Sequence, residues 1–165
     1  MTTSSQLPSS RSPSLDIVQP SPQEIQHQLS HNGTAWRGAL SFEAYVRRED
    51  FLASQGIAKD SGLTSWILID TAVPASERVV LAGCETLRKR ALVARQGKVS
   101  EVVCHGVCSV FAPPSFRGRG YAGRLIEELG KKLKTWQIEH NPCLLSVLYS
   151  DIGKVSAFHQ TELRS

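Results

Sequence analysis

The chain has 165 residues, 41% of them hydrophobic and 21% charged, with a formal net charge of +4. That is enough for one globular domain with a core of its own, and no apolar run approaches the ~18 residues that a membrane span needs. The basic clusters Arg88-Lys89-Arg90, Arg117/Arg119/Arg124 and Lys131/Lys132/Lys134 lack the interleaved aromatics of a nucleic-acid surface. The middle cluster alone would serve a small molecule that carries a polyphosphate.

Residues 1–14, MTTSSQLPSSRSPS, are rich in Ser, Thr and Pro. They bury too little to offset the entropy of ordering, which predicts a disordered tail. LDIVQP (15–20) reads as a short strand. Ser21-Pro22-Gln23-Glu24 then starts a helix, with Ser at the N-cap, Pro first and Glu three after the cap. The helix is expected to stop near Asn32-Gly33. A second helix is predicted from Ser41 to Gln55, with Phe42, Tyr45, Val46, Leu52 and Ala53 on one side and Gly56 ending it.

TSWILID (64–70) has the β-branched and aromatic content of a strand. Residues 78–93 predict a long strand kinked at Gly83, and residues 99–111 its successor. Ala122, Leu125, Ile126, Leu129, Leu133 and Trp136 form one apolar stripe, so the segment after the glycines is a helix. Its pairs Glu127/Lys131 and Glu128/Lys132 are in the favourable order. CLLSVLYS (143–150) reads as a buried strand. The order β-α-α-β-β-β-α-β predicts an α/β domain, mostly antiparallel, with a terminal βαβ crossover.

Cys84, Cys104, Cys108 and Cys143 lie in apolar, strand-like settings with no CxxC. Zinc sites need closely paired ligands, so no metal is expected. The thiols read as buried and reduced, which points to the cytoplasm.

The chemistry gathers in APPSFRGRGYAGRLIEELGKKL (112–133). Its Gly118–Gly123 segment has the spacing of a P-loop, yet Arg124-Leu125 stand where Lys and Ser/Thr are required. Gly118, Gly120 and Gly123 also spell GxGxxG, the mark of a nicotinamide-dependent oxidoreductase. APPSFR, however, separates these glycines from the strand they should follow at once. The third reading starts at Arg117: Arg117-Gly118-Arg119-Gly120-Tyr121-Ala122 fits [Q/R]xxGx[G/A]. Small residues let successive backbone N–H groups turn toward one anion at a helix N-terminus, and Arg119 and Arg124 add charge.

This third pattern resembles the pyrophosphate loop of the GCN5-related N-acetyltransferase (GNAT) superfamily. LAGCETLRKRALV, SVFAPPSFRGRGYAGRLIEELGKKLKTW and SVLYSDIGK are similar to the fungal-type lysine N-acetyltransferases, over roughly residues 15–154. The resemblance implies a GNAT-like mixed sheet, acetyl-CoA as co-substrate and a small amine as acceptor, the ε-amine of free L-lysine. It implies no membrane or nucleic-acid partner, and the sequence carries no signal for an oligomeric state. Val110, Phe111 and Ala112 would offer main-chain groups to the pantetheine arm. Arg117, Gly118, Arg119, Gly120, Tyr121, Ala122 and Gly123 would hold the pyrophosphate.

The likeness breaks after Lys154, where Val155-Ser156-Ala157-Phe158 replaces the family's aromatic pair. Ala157 falls near the place of a Tyr that serves many members as general acid. The expectation is a truncated domain over 15–154 that lacks its last strands, followed by an atypical tail over 155–165. The alternative function is an inactive CoA-binding fragment. The base is open: Glu101 lies back along the strand, and His105 is a candidate by its ordinary pKa.

Overall fold

The computed structural model describes residues 7–148. Five strands form one sheet in the order β1-β2-β3-β4-β5: Leu15–Val18, Leu63–Asp70, Ala82–Arg95, Lys98–Phe111 and Cys143–Leu148. Helices α1 (Pro22–Trp36) and α2 (Phe42–Ala53) separate β1 from β2. A 3₁₀ turn at Pro114–Phe116 and helix α3 (Tyr121–Leu133) separate β4 from β5. The first four strands pair antiparallel and β5 joins β4 parallel, so the element order and the terminal crossover are as expected. A doubly wound parallel sheet, which the oxidoreductase reading needs, is not present among the described residues.

Neighbouring side chains of a strand point to opposite faces, and β3 sorts the layers. Ala82 and Cys84 belong to the core that contains Leu125, Leu129 and Leu133 of α3. Gly83 faces α1, and an added Cβ there would stand 2.7 Å from Gln28 Nε2. α1 and α3 therefore cover opposite faces. β2 is buried from Trp66 to Ile69 because it is covered on both.

Ser21 caps α1 as predicted. Its backbone N–H donates to Glu24 Oε2 at 2.8 Å, and its hydroxyl accepts from the Glu24 N–H. The helix does not stop at Asn32-Gly33; it continues to Trp36. Gly33 serves packing instead, since a Cβ there would meet the Tyr45 ring of α2 at 3.3 Å. On α2 only Tyr45 of the expected apolar side is buried, while Phe42 and Leu52 are exposed. β3 begins at Ala82 rather than residue 78. The irregularity expected at Gly83 is a bulge whose extra residue lies on β4: Gly83 pairs with Phe111 and Glu85 with Cys108. Ser109 takes φ +53° there.

Three further expectations change. β5 is an exposed edge among the described residues rather than a buried strand, with Leu144 and Leu145 open. Glu128 pairs with Arg124 (3.1 Å) and Lys131 (2.8 Å), not with Lys132, so the predicted i,i+4 pairs do not form. Residues 7–14, predicted within the disordered tail, pack: Leu7 joins the α3 core, and the Tyr121 hydroxyl donates to the Pro8 carbonyl. One apolar side chain and a few backbone bonds suffice because β1 anchors the segment's other end. The expected truncation of the domain and the atypical tail over 155–165 concern residues outside those described.

A polar stripe on α1 lies against the sheet: Glu24, Gln28 and Asn32 are all buried. Arg78 meets Glu24 through two bonds of 2.8 and 3.0 Å. The guanidinium, with help from Ser21 and against the opposing effect of burial, holds the Glu24 carboxyl at about 2. A carboxyl lowered by folding stabilises above its unfolded value and loses that contribution as pH falls through its folded one. Stability should therefore decline between about pH 5 and pH 2. Glu24→Gln should flatten that decline and remove on the order of 2–3 kcal/mol at pH 7. Urea unfolding across this range checks it, and equal slopes for both proteins would contradict it.

Candidate active site

The loop from Ala112 to Gly120 is held by its own residues. Arg117 Nε donates to the Ala112 carbonyl at 3.1 Å, and its guanidinium lies 5.1 Å from the centre of the Phe111 ring. Arg117 thus braces the loop from within. Gly118 and Gly120 take φ +74° and +84°, values that favour glycine. Gly120 is the N-cap of α3 and no side chain caps that helix. The first intrahelical bond is Arg124 N–H to the Gly120 carbonyl, 3.0 Å. The N–H groups of Tyr121, Ala122 and Gly123 have no intrahelical acceptor, the usual state of a first turn. Three donors and the helix dipole then converge where an anion would sit.

The other two arginines of the segment have different surroundings. Arg119 is exposed and forms no ion pair among the described residues. Arg124 is tied to Glu128 and to the Leu15 carbonyl (3.3 Å), and its Nε is buried without a partner. A cavity of about 290 Å³ opens on this helix end, lined by Ser10, Arg11, Gly120, Gly123, Arg124 and Glu127. Ser10 and Arg11 stood in the tail that composition set aside. No local pattern pointed to them, because tertiary packing alone brings them here.

On β4, Val110 packs beside the α3 core, and Phe111 is buried with its ring 5.5 Å from Trp36 in an edge-on contact. The β4–β5 ladder ends at Val107–Leu148. Among the described residues the backbone from Cys108 to Phe111 therefore has no strand partner on that side.

His105 is fully buried. Its Nδ1 lies 3.4 Å from Cys143 Sγ and its Nε2 has no partner. Burial pushes its pKa down; nearby Gln137 opposes this and Arg88 adds to it. Two residues before core-facing Val107, it sits on the α3 face of the sheet. Glu101 pairs with Arg90 at the surface. Among the described residues no three His, Cys, Asp or Glu side chains gather as a metal site. Burial pushes all four thiols up. No helix of the described chain is long and apolar enough to cross a membrane.

A second cavity of about 260 Å³ lies on the α1/α2 face. Its polar lining is Asn32, Arg48, Glu49, Glu85 and Ser109, and Leu29, Trp36, Tyr45 and Leu52 complete its walls. Asn32 is 4% exposed and its Oδ1 has no hydrogen-bond partner among the described residues. Glu49 is held by Arg48 at 2.6 and 2.9 Å. Glu85 has no such cation. Burial pushes its carboxyl up, the Ser109 hydroxyl pulls it down, and Glu49 pushes it up again. The signal for Glu85 was present in the sequence: it is one acid inside the apolar run LAGCETL.

No protein-family model matches the chain. A lysine acetyltransferase of Yarrowia lipolytica is 32% identical over 110 residues, 66% of this chain and 27% of that protein. The chain thus spans about a quarter of that relative's length. Among solved structures, an acetyltransferase of Trypanosoma brucei is 15% identical at TM-score 0.56, covering 92% of this chain and 93% of that one. A GNAT-family acetyltransferase of Brucella melitensis, solved with acetyl-CoA, is 18% identical at TM-score 0.52, covering 84% and 77%. The chain has the fold of the GCN5-related N-acetyltransferases, and its sequence resembles that of a lysine acetyltransferase.

Proposed function

We propose that the chain binds acetyl-CoA and transfers its acetyl group to a primary amine, with the ε-amine of L-lysine as the acceptor that the sequence likeness favours. The observation that carries this reading is the uncapped start of α3 behind two left-handed glycines, beside a bulged strand that has no partner on its outer side from Cys108 to Phe111 among the described residues. The pyrophosphate would lie on the first-turn N–H groups, and the pantetheine arm would bond along Val110, Phe111 and Ala112. Four free, buried or half-buried thiols suit the reducing cytoplasm proposed for it.

Transfer requires a neutral amine. A free lysine amine has a pKa of about 10.4, so a proton must leave before attack. The amine then adds to the thioester carbonyl, and collapse breaks the C–S bond. Holding the two partners in line is the main source of rate that such a site offers.

Titration calorimetry with CoA tests the cofactor, with NAD as the control. CoA-thiol release from acetyl-CoA and L-lysine at pH about 8 tests the reaction. Binding of NAD in preference to CoA would overturn the reading. Arg117→Ala should weaken CoA about tenfold, ~1.4 kcal/mol, because the loop loses its internal brace. An unchanged affinity would place the brace outside the site.

A further inference from the structure

We infer that residues 7–14 form a strap that closes on the phosphates of the bound cofactor, with Arg11 as a further binding residue beside the start of α3. The inference rests on the cofactor reading above and adds to it a segment and a cation that lie outside the glycine loop.

The strap is seated at both ends. At one end Leu7 packs against the α3 core, and the Pro8 carbonyl accepts from the Tyr121 hydroxyl. At the other, the Ser14 carbonyl accepts from the Thr71 N–H and hydroxyl, both at 2.8 Å, and the Leu15 carbonyl accepts from Arg124 Nη2. Between these seats the chain turns: Ser12 N–H donates to the Ser9 carbonyl at 2.9 Å, and Arg11 N–H to Ser9 Oγ at 3.3 Å. The turn stands against Gly120, where an added Cβ would come within 2.8 Å of Ser10 Oγ. Two residues under the strap, Gly120 and Tyr121, belong to the loop assigned to the pyrophosphate. A ligand on that loop is therefore coupled to the strap, and the coupling is reciprocal.

The direction of the coupling follows from what the strap leaves open. A segment that blocked the loop would put its own carbonyls or hydroxyls on the first-turn donors. Among the described residues none accepts from the N–H groups of Tyr121, Ala122 or Gly123 outside the helix. The strap instead walls the cavity of about 290 Å³ at this place and brings Arg11 to its lining. Arg11 is exposed and forms no ion pair among the described residues. Arg124, also in the lining, is already paired with Glu128. Glu127 is the acid of the lining. It lies two turns along α3, about 10 Å from Gly120 at 1.5 Å per residue, so positive character prevails at the helix start.

The chemistry agrees with closure. The phosphates of CoA carry more acceptor oxygens than three first-turn donors can meet. A guanidinium presents a planar fork of N–H groups that suits such oxygens, and Arg11 offers one from the strap's side of the cavity. The strap's own hold is slight: one partly buried leucine and a few hydrogen bonds. Such a segment opens far more readily than the sheet it rests on. Phosphates that engage Arg11 would hold it shut.

The test uses the full chain with CoA as the probe. Trypsin cuts after arginine, so release of the 1–11 fragment reports how often the strap opens. Saturating CoA should slow that release about fivefold, measured against cleavage after Arg95 at the β3–β4 turn, which should not change. In calorimetry Arg11→Gln should weaken CoA about fivefold at low salt. The gap should close to within about twofold at about 0.5 M salt, because screening removes the contribution of the charge. Leu7→Ser unseats the strap but keeps Arg11; it should weaken CoA about threefold and abolish the protection at Arg11. The parent and Arg11→Gln measurements decide the matter even where Leu7→Ser fails to fold. Release that is unchanged or faster with CoA, full affinity in Arg11→Gln, or a gap that salt does not close overturns this inference alone. Failure of CoA itself to bind overturns the cofactor reading and this inference with it.

Discussion

Gly120→Val should reduce CoA affinity by more than tenfold and also destabilise the fold. Gly120 sits at φ +84°, where a β-branched residue is strained by about 1–3 kcal/mol. Its new Cβ would stand 2.8 Å from Ser10 Oγ and 3.3 Å from Ser10 Cβ, so the N-terminal segment must give way as well. If the backbone relaxes to escape the strain, the first-turn N–H groups no longer converge on one point. Gly130→Ala is the control. That residue lies inside α3 with nothing within 4 Å of an added Cβ, so the change should raise stability by about 0.5–1 kcal/mol and leave CoA binding alone. Equal CoA affinity in Gly120→Val and the parent would remove the loop from the cofactor site.

Trp66→Ala should cost about 3–5 kcal/mol of stability, as for other large aromatic truncations in packed cores. Trp66 is 1% exposed. Its Nε1 donates to Thr86 Oγ1 at 2.9 Å, and its ring meets that of Trp136 at 5.1 Å in an edge-on contact. Truncation opens a void between β2, β3 and the end of α3, and it takes the donor from a fully buried hydroxyl. Trp66→Phe should fall between parent and alanine, because it restores most of the volume but not the N–H. Guanidinium unfolding compares the three; a loss below about 1 kcal/mol for alanine would show that this cluster collapses freely.

Most of the fold was legible in the chain because its signals are local. The Ser21–Glu24 capping pattern, the six-residue stripe from Ala122 to Trp136 and the apolar run of β2 each act within a single helix or strand and its immediate flank. The loop between β4 and α3 was legible for the same reason: left-handed backbone at an uncapped helix start leaves glycines at fixed spacing. Where local signs misled, a distant partner had taken over. Gly33 reads as a helix stop, yet the Tyr45 ring twelve residues on explains it. Glu128 was assigned to Lys132 by spacing, yet Arg124 and Lys131 hold it.

By itself, then, the sequence determined the order of elements, the crossover at the end of the described chain and the left-handed glycines that lead into α3. All of these follow from periodicity, capping and glycine conformation, which are properties of neighbouring residues. Only the tertiary structure decided which polar side chains meet. Asn32, Glu85 and Ser109 lie far apart in the chain and share a cavity because α1 and α2 close over the bulge of β4. Ser10 and Arg11 reach the start of α3 because β1 begins beside it. His105 was withdrawn beneath the other face by a strand's two-residue alternation, read against a core that no single segment defines.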